Sequence, residues 1–363
     1  MTLYVKRKFI PILFLLIIAS IYPLAINSIS TPVNASSNPL GWFNLTVIVN
    51  GSITNLGDKP LPINQTDLLI FDYPINMSTQ KVIGVEAFVN GSRYPYKIEG
   101  PWYNPSLVIE APKIENASLM PGQTVSSMVI YNVSVNVGER LLEAVNIKPE
   151  LAGGWSEIPE KIKNNYTGVT PLWNYSNPLI NLYITYIRSL EHSKTPLGAI
   201  EEILNWFDKN VKYKTRIPAR QPWETLMYMQ GDCDDQSNLL ITVLRGLGIP
   251  AYLEIGLVYI SGLNITSTAA NGLLIYRFVN GGSHAWTSAY VPPWGWIRID
   301  LTASLGIGLN HIKGAAYYIY PTIVISRIYG QNYAAGTAKF TVELVSRRIE
   351  YRVTIELIPQ QKP

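Results

Sequence analysis

The chain of 363 residues holds one cysteine, Cys233, and three histidines, His192, His284 and His311. A thiol, an imidazole and a carboxylate brought together can carry out nucleophilic acyl transfer. The thiolate attacks, the imidazole moves protons, and a polar group orients the imidazole. Cys233 stands in the run GDCDDQSNLLITVLRGLGIPA. His192 lies in a polar helix-to-loop stretch and His311 in an irregular Gly/Asn segment. His284 opens a strand pattern after Gly281-Gly282. Asp300 ends the next strand pattern, beyond the turn Pro292-Pro293-Trp294-Gly295. A four-residue turn sets His284 and Asp300 roughly opposite, within about three residues of register, and a bulge absorbs the difference.

The element that must present the thiol is a helix. Asp232 occupies the expected N-cap and Asp235 follows three residues later, in the manner of a capping box. Leu239, Leu240, Val243, Leu244 and Leu247 then mark one apolar face. Gly248 ends the helix and Pro250 forbids its continuation. The thiol therefore sits in the first turn, where unpaired backbone N–H groups and the helix dipole favour an anion. Asp234 and Asp235 suit the dipole but oppose a thiolate. They are expected to point outward and to be outweighed by a nearby imidazolium. Upstream, Ile180–Leu190 reads as a helix. A second helix opens with Thr195 as N-cap and Pro196 at its first position, and its buried face is Ile200, Ile203, Leu204, Phe207 and Val211. Pro222 opens a short third helix through Met229. Strand patterns follow at Ala251–Ile260, Leu273–Val279, His284–Val291 and Trp296–Asp300. Trp286, Trp294 and Trp296 are read as core and site-wall residues.

Three separated motifs, GDCDD, SHAW and GWIRID, resemble the transglutaminase-like superfamily. Asn205-Trp206 and Val211-Lys212-Tyr213 resemble that family's lead-in helix and strand. The similarity covers about residues 179–305. It implies Cys233 as nucleophile, His284 as general acid/base and Asp300 as its orienter. It also implies an oxyanion site shared by the Cys233 backbone N–H and an upstream side chain, with Gln230 and Trp223 as the candidates. One departure stands out: Leu301 follows Asp300 where relatives usually carry proline. That alters the strand end and leaves the carboxylate in place.

The rest of the chain sets the context. Residues 1–28 read as a signal peptide or signal anchor: Lys6, Arg7 and Lys8 precede Phe9–Ile26, which is uncharged and mostly apolar. Membrane anchorage through residues 9–26 and an extracellular or cell-surface location follow as expectations. Residues 29–40, rich in Ser, Asn, Thr and Pro, read as a linker. Over 41–145 the pattern is period two with turn signals, which argues a β-sandwich; Asn50-Gly51 and Asn90-Gly91 read as hairpin turns. Residues 146–178 form a connector, 179–325 the catalytic domain. Residues 326–363 read as a C-terminal β-hairpin, from the alternation of Phe340, Val342 and Leu344 and of Ile349, Tyr351, Val353 and Ile355.

Glycosylation sequons occur at Asn34, Asn44, Asn50, Asn64, Asn76, Asn90, Asn116, Asn132, Asn165, Asn174 and Asn264, crowded into the first half of the chain. The formal net charge of +4 drops to +1 without Lys6, Arg7 and Lys8, so nucleic acid is not an expected partner. One cysteine and three dispersed histidines show no metal-ligand spacing, and no cofactor is expected. A lone cysteine in an exported chain is a reactive thiol or an intermolecular link.

The expected fold is α+β, a transglutaminase/papain-like catalytic domain preceded by an all-β sandwich. The expected function is an exported thiol acyl-transfer enzyme acting through a thioester on amide bonds of protein or peptide substrates, by hydrolysis or by glutamine transamidation or deamidation. The alternative is a non-catalytic, glycosylated surface interaction protein that retains the fold.

Overall fold

The computed structural model describes residues 41–190, 194–304 and 306–360. The export segment, the linker with Asn34, and His192 lie outside the described residues. Among those described, no helix is long and apolar enough to cross a membrane.

Mixed α and β elements are built on one nine-stranded sheet. From one edge its strands are Thr322–Ile328, Ala251–Ala269, Leu274–Val291, Ile349–Pro359, Trp42–Asn55, Thr124–Asn136, Gln80–Val89 and Ser92–Tyr94. Gly295–Ile299 pairs with Leu274–Val291 beside this row. The 18-residue strand Leu274–Val291 is the hinge of the arrangement. Its first part pairs in parallel with Tyr351–Glu356, and its last part pairs antiparallel with Gly295–Ile299.

Two expectations change here. The N-terminal strands do not stand apart as a sandwich. Trp42–Asn55 pairs with Thr124–Asn136 on one side and with the C-terminal strand Ile349–Pro359 on the other. The reason is burial. Ile349, Tyr351, Val353, Ile355 and Leu357 share one core with Leu45, Val47, Val49 and Ile53, and a small sheet of Ile70–Asp72, Ser106–Ile109 and Tyr96–Glu99 contributes Phe71, Leu107 and Ile109 to it. The C-terminal hairpin is also absent, because its first arm is a helix, Tyr333–Arg347. Phe340 and Leu344 fit either period. Val342 decides between them, since the helix leaves it on the outside, 67% exposed, while Tyr333, Thr337 and Leu344 face inward. Asn332 caps that helix by accepting the Ala335 N–H.

Smaller differences follow from backbone packing. Asn50-Gly51 lies inside Trp42–Asn55 rather than at a turn, because both neighbouring strands pair through it. Asn90-Gly91 does form a hairpin tip, with both residues at positive φ. Gly281 does not break its strand. A Cβ there would sit 2.1 Å from the Val258 carbonyl oxygen, so glycine lets two strands close.

Four helices pack over the second core: Pro178–Ser189, Pro196–Asn210, Pro222–Tyr228 and Cys233–Leu247. Thr195 caps the second of these by accepting the Gly198 N–H, and Pro196 opens it. Its residues Ile200, Ile203, Leu204 and Phe207 share one buried core with Leu239, Leu240, Val243 and Leu244 and with Leu253, Ile255, Ala285 and Ile299. Each such side chain contributes about 1.5–3 kcal/mol on full burial. The Cys233 helix is buried on every side from Cys233 to Arg245, not along one face as its leucine pattern suggests. Several of its polar residues are paired internally: Trp173 Nε1 donates to Asn238, Thr242 to the Asn238 carbonyl, and Arg245 to the Ala251 carbonyl. Gly248, at φ 92°, ends it as expected.

Candidate active site around Cys233

Cys233 is the first residue of its helix, and Gln236 N–H makes the first helical bond to the Asp232 carbonyl. The backbone N–H groups ahead of that bond have no helical partner, which is the anion-favouring feature of a helix start. Asp232 occupies the N-cap position, but its side chain does not cap the helix. Its Oδ2 accepts the Arg216 N–H at 3.0 Å, and Asp235 Oδ1 accepts the Arg220 N–H at 2.6 Å. The expected capping box gives way because the 216–220 loop supplies donors of its own.

His284 and Asp300 meet directly. His284 Nε2 and Asp300 Oδ2 are 2.8 Å apart, both side chains buried. Thr287 opposes Ile299, so the position facing Asp300 is Trp286, and the His284 side chain reaches Asp300 diagonally across two residues. Three backbone N–H groups complete the carboxylate: Thr302 and Ala303 donate to Oδ1, and Ala316 to Oδ2. Burial pushes the Asp300 carboxyl up, but the His284 imidazole and these bonds outweigh it and lower it to about 2. Nε2 is thus the ring nitrogen committed to Asp300.

Cys233 lies beside the same strand. Cys233 and Ala285, next along from His284, belong to one buried core, and Thr287 Oγ1 donates to the Ser237 carbonyl from the strand to the helix. Burial, then Asp232 and Asp234, push the thiol well above its ordinary value. The carboxylates do not point outward as expected. Asp232, Asp234 and Asp235 are all buried, with facing oxygens within 4.8 Å of one another. Burial and then Asp234 push Asp232 far up and Asp235 up to about 7. Arg220 lies 3.8 Å from Asp235, and Tyr333 donates its hydroxyl to Asp234 at 2.9 Å. Among the described residues this is the one group of acids, histidines or cysteines with metal-ligand spacing, and protein donors take part of its capacity.

The oxyanion candidates fare unevenly. Gln230 sits three residues before Cys233, in a parallel pair with Lys212, and its carbonyl accepts Arg220 Nη1 at 2.6 Å. Trp223 lies on the short helix Pro222–Tyr228 with 39% of its surface exposed. Among the described residues no hydrogen bond joins either side chain to Cys233.

Sequence reasoning missed several neighbours. Tyr213 reaches the thiol's surroundings, and burial followed by Cys233 and Asp232 pushes its hydroxyl up. His311 is buried, with Nε2 2.6 Å from Asp208 Oδ1 and Nδ1 3.1 Å from the Asp300 carbonyl oxygen. Glu254, fully buried, accepts the Trp286 indole N–H at 2.9 Å. Asp208 and His311 are 103 positions apart and no local pattern joins them. Of the other tryptophans, Trp294 donates to the Asn146 carbonyl, and Trp296 packs edge-on against Tyr166 and Tyr252.

Residues 184–301 match the model of the transglutaminase-like superfamily. Among solved structures, the chain is similar in fold to a candidate cysteine protease from Cytophaga hutchinsonii, at 15% identity and TM-score 0.50, over 89% of this chain and 94% of that one. It is also similar to the periplasmic domain of TgpA from Pseudomonas aeruginosa, at 16% identity and TM-score 0.31, over 78% and 93% of the two chains. A stretch of 72 residues, 20% of this chain, is 36% identical to the uncharacterized protein YebA of Bacillus subtilis. That match spans only 9% of YebA.

Proposed function

We propose, from the transglutaminase-like core that residues 184–301 form, that this protein is a thiol acyl-transfer enzyme acting on amide bonds of protein or peptide substrates. One observation carries the reading: the buried 2.8 Å contact of His284 Nε2 with Asp300, on the strand whose Ala285 shares a core with Cys233. In the proposed cycle the Cys233 proton passes to His284 Nδ1, and Asp300 stabilises the imidazolium so formed. The sulfur then attacks the substrate carbonyl carbon. The developing oxyanion is received at the helix start, where the Cys233 N–H has no helical partner. His284 returns its proton to the leaving amine, the C–N bond breaks, and a thioester remains. Water ends the cycle as hydrolysis, and an amine ends it as transamidation, with His284 taking the proton from either.

Residues 1–28 place that substrate outside the cytoplasm in this proposal, supported by Lys6, Arg7 and Lys8 ahead of uncharged Phe9–Ile26. The β-rich first half, with its sequons, fits a surface-facing protein. A second reading, a surface interaction protein with a silent site, is favoured by the burial of Cys233, His284 and Asp300 and by the raised thiol.

Iodoacetamide separates the two. In an active site, Cys233 is alkylated faster than a free thiol near neutral pH, and His284→Ala slows it. Equal rates in wild type and His284→Ala would remove the triad. The acyl group trapped on Cys233 from a surface extract then identifies the substrate class, and protease accessibility on intact cells tests export.

A further inference from the structure

Glu254 is a carboxylate buried to the last atom in the middle of the sheet. Four donors converge on it. Trp286 Nε1 at 2.9 Å and Arg298 Nε at 3.2 Å reach Oε2, while Arg327 Nε at 2.8 Å and the Tyr252 hydroxyl at 3.4 Å reach Oε1. Burial would raise its carboxyl, but Arg298 and Arg327 outweigh that and lower it to about 2, so it is charged throughout the physiological range.

What singles this residue out is which donors it holds. Trp286 is two residues beyond His284, on the same side of the strand, and lies directly opposite Glu254 in register. The Trp286 ring sits 5.9 Å from the His284 ring, with 33° between planes. Arg298 is two residues before Asp300, again with the same facing. One carboxylate thus grips the same-side neighbour of the imidazole and the same-side neighbour of its orienter, on two different strands.

A second layer backs this up. The Arg298 guanidinium lies 4.3 Å over the Tyr317 ring, and Tyr317 packs 5.8 Å from Trp286. The other cation on Tyr317 is Arg140, 3.9 Å from the ring centre and held by the Thr322 carbonyl at 2.8 Å. Arg140 comes from the N-terminal half of the chain, so that half bears on the site through Tyr317.

We infer that Glu254 is a positioning residue for the His284–Asp300 pair, acting through Trp286 and Arg298. This rests on the reading of His284 as the base for Cys233. A hydrogen bond between base and orienter works only within a few tenths of an ångström, and a shared anchor on both strands removes their freedom to slide.

The test uses the full chain with Glu254→Gln and Trp286→Phe, at temperatures where circular dichroism shows both folded. Two quantities are read: the rate of Cys233 alkylation by iodoacetamide, and the low-field proton resonance of the His284–Asp300 hydrogen bond, assigned by its loss in His284→Ala. Glu254→Gln should slow alkylation at least tenfold and broaden or remove the resonance. Trp286→Phe, which loses only the indole N–H, should move both the same way by less. If the variants are folded and keep the wild-type rate and resonance, Glu254 merely supports the fold and the inference is wrong. If Glu254→Gln does not fold, Trp286→Phe and Arg298→Lys decide by the same two readouts. An alkylation rate unchanged by His284→Ala would instead overturn the acyl-transfer reading, while the resonance would still report on positioning.

Discussion

His311 clasps Asp300 by its main chain. The His311 carbonyl accepts the Asp300 N–H at 3.0 Å, and His311 Nδ1 faces the Asp300 carbonyl at 3.1 Å. The far ring nitrogen is fixed by Asp208 on the helix Pro196–Asn210. Asp300 follows the last strand residue, Ile299, where the ladder no longer holds it. The clasp replaces that ladder, so the carboxylate paired with His284 depends on a histidine that the sequence pattern left in a loop.

Replacing that histidine should therefore cost both stability and reactivity. His311→Phe takes the imidazole from Asp208 Oδ1 and from the Asp300 carbonyl, a loss of about 1–3 kcal/mol. Alkylation of Cys233 should slow, because Asp300 gains freedom relative to His284. Urea melts and iodoacetamide kinetics on the same preparation check this. A variant with lowered stability and unaltered alkylation in the folded state would show that the clasp serves the fold alone.

Asp234 holds back the thiol. Burial comes first among the causes that raise Cys233, and Asp232 and Asp234 come next. Asp234→Asn removes one negative charge and can still accept the Tyr333 hydroxyl through its amide oxygen. The Cys233 thiol should titrate lower. Alkylation at pH 7 should rise several-fold, since one pKa unit is about tenfold in thiolate. A full pH–rate curve gives the shift; a midpoint unmoved or raised would contradict the assigned role.

Asp235 should give stability an unusual slope with pH. Its carboxyl is pushed up to about 7. A group raised on folding favours the folded state most below the ordinary carboxylate range, and that advantage is lost as pH rises through the folded value. Stability should decline between about pH 4 and pH 7 through this group. Asp300 and Glu254, both lowered to about 2, act oppositely: their contribution is present above the ordinary range and is lost as pH falls towards 2. Asp235→Asn, which can still accept the Arg220 N–H, should flatten the decline. Thermal melts at pH 5 and pH 8 test it, and equal losses in wild type and variant would disprove it.

The C-terminal helix makes a clean contrast between two residues of one apparent alternation. Leu344→Ala empties part of the first core and should cost about 2–5 kcal/mol. Val342→Lys, on an exposed helix face, should change stability by less than about 0.5 kcal/mol. A hairpin would bury both residues on one side and make both substitutions costly. Chemical denaturation of the two variants separates the cases.

Much of the site was legible in the chain because its signals are local. Pro196 after Thr195, Gly248 after a leucine-spaced run, and the turn between Val291 and Gly295 each fix backbone geometry within a few residues. These fix the helix that carries Cys233 and the hairpin that carries His284 and Asp300. The spacing across that turn limits how far apart the imidazole and carboxylate can be.

Tertiary structure decided what depends on distant partners. Phe340 and Leu344 satisfy both a helix and a strand, and only the outward Val342 separates them. Ile349–Pro359 alternates like any half-buried strand, but nothing in it says that its neighbours are Trp42–Asn55 and Leu274–Val291. The three acids beside Cys233 read as a solvated first turn, and packing buried them. Glu254 reaches Trp286 and Arg298 from 32 and 44 positions away, and Asp208 reaches His311 from 103. Residue types and short-range spacing set Cys233 at its helix start and His284 within reach of Asp300. Their rigidity and the charge around the thiol come from long-range burial, where desolvation and pairing are set by the whole fold.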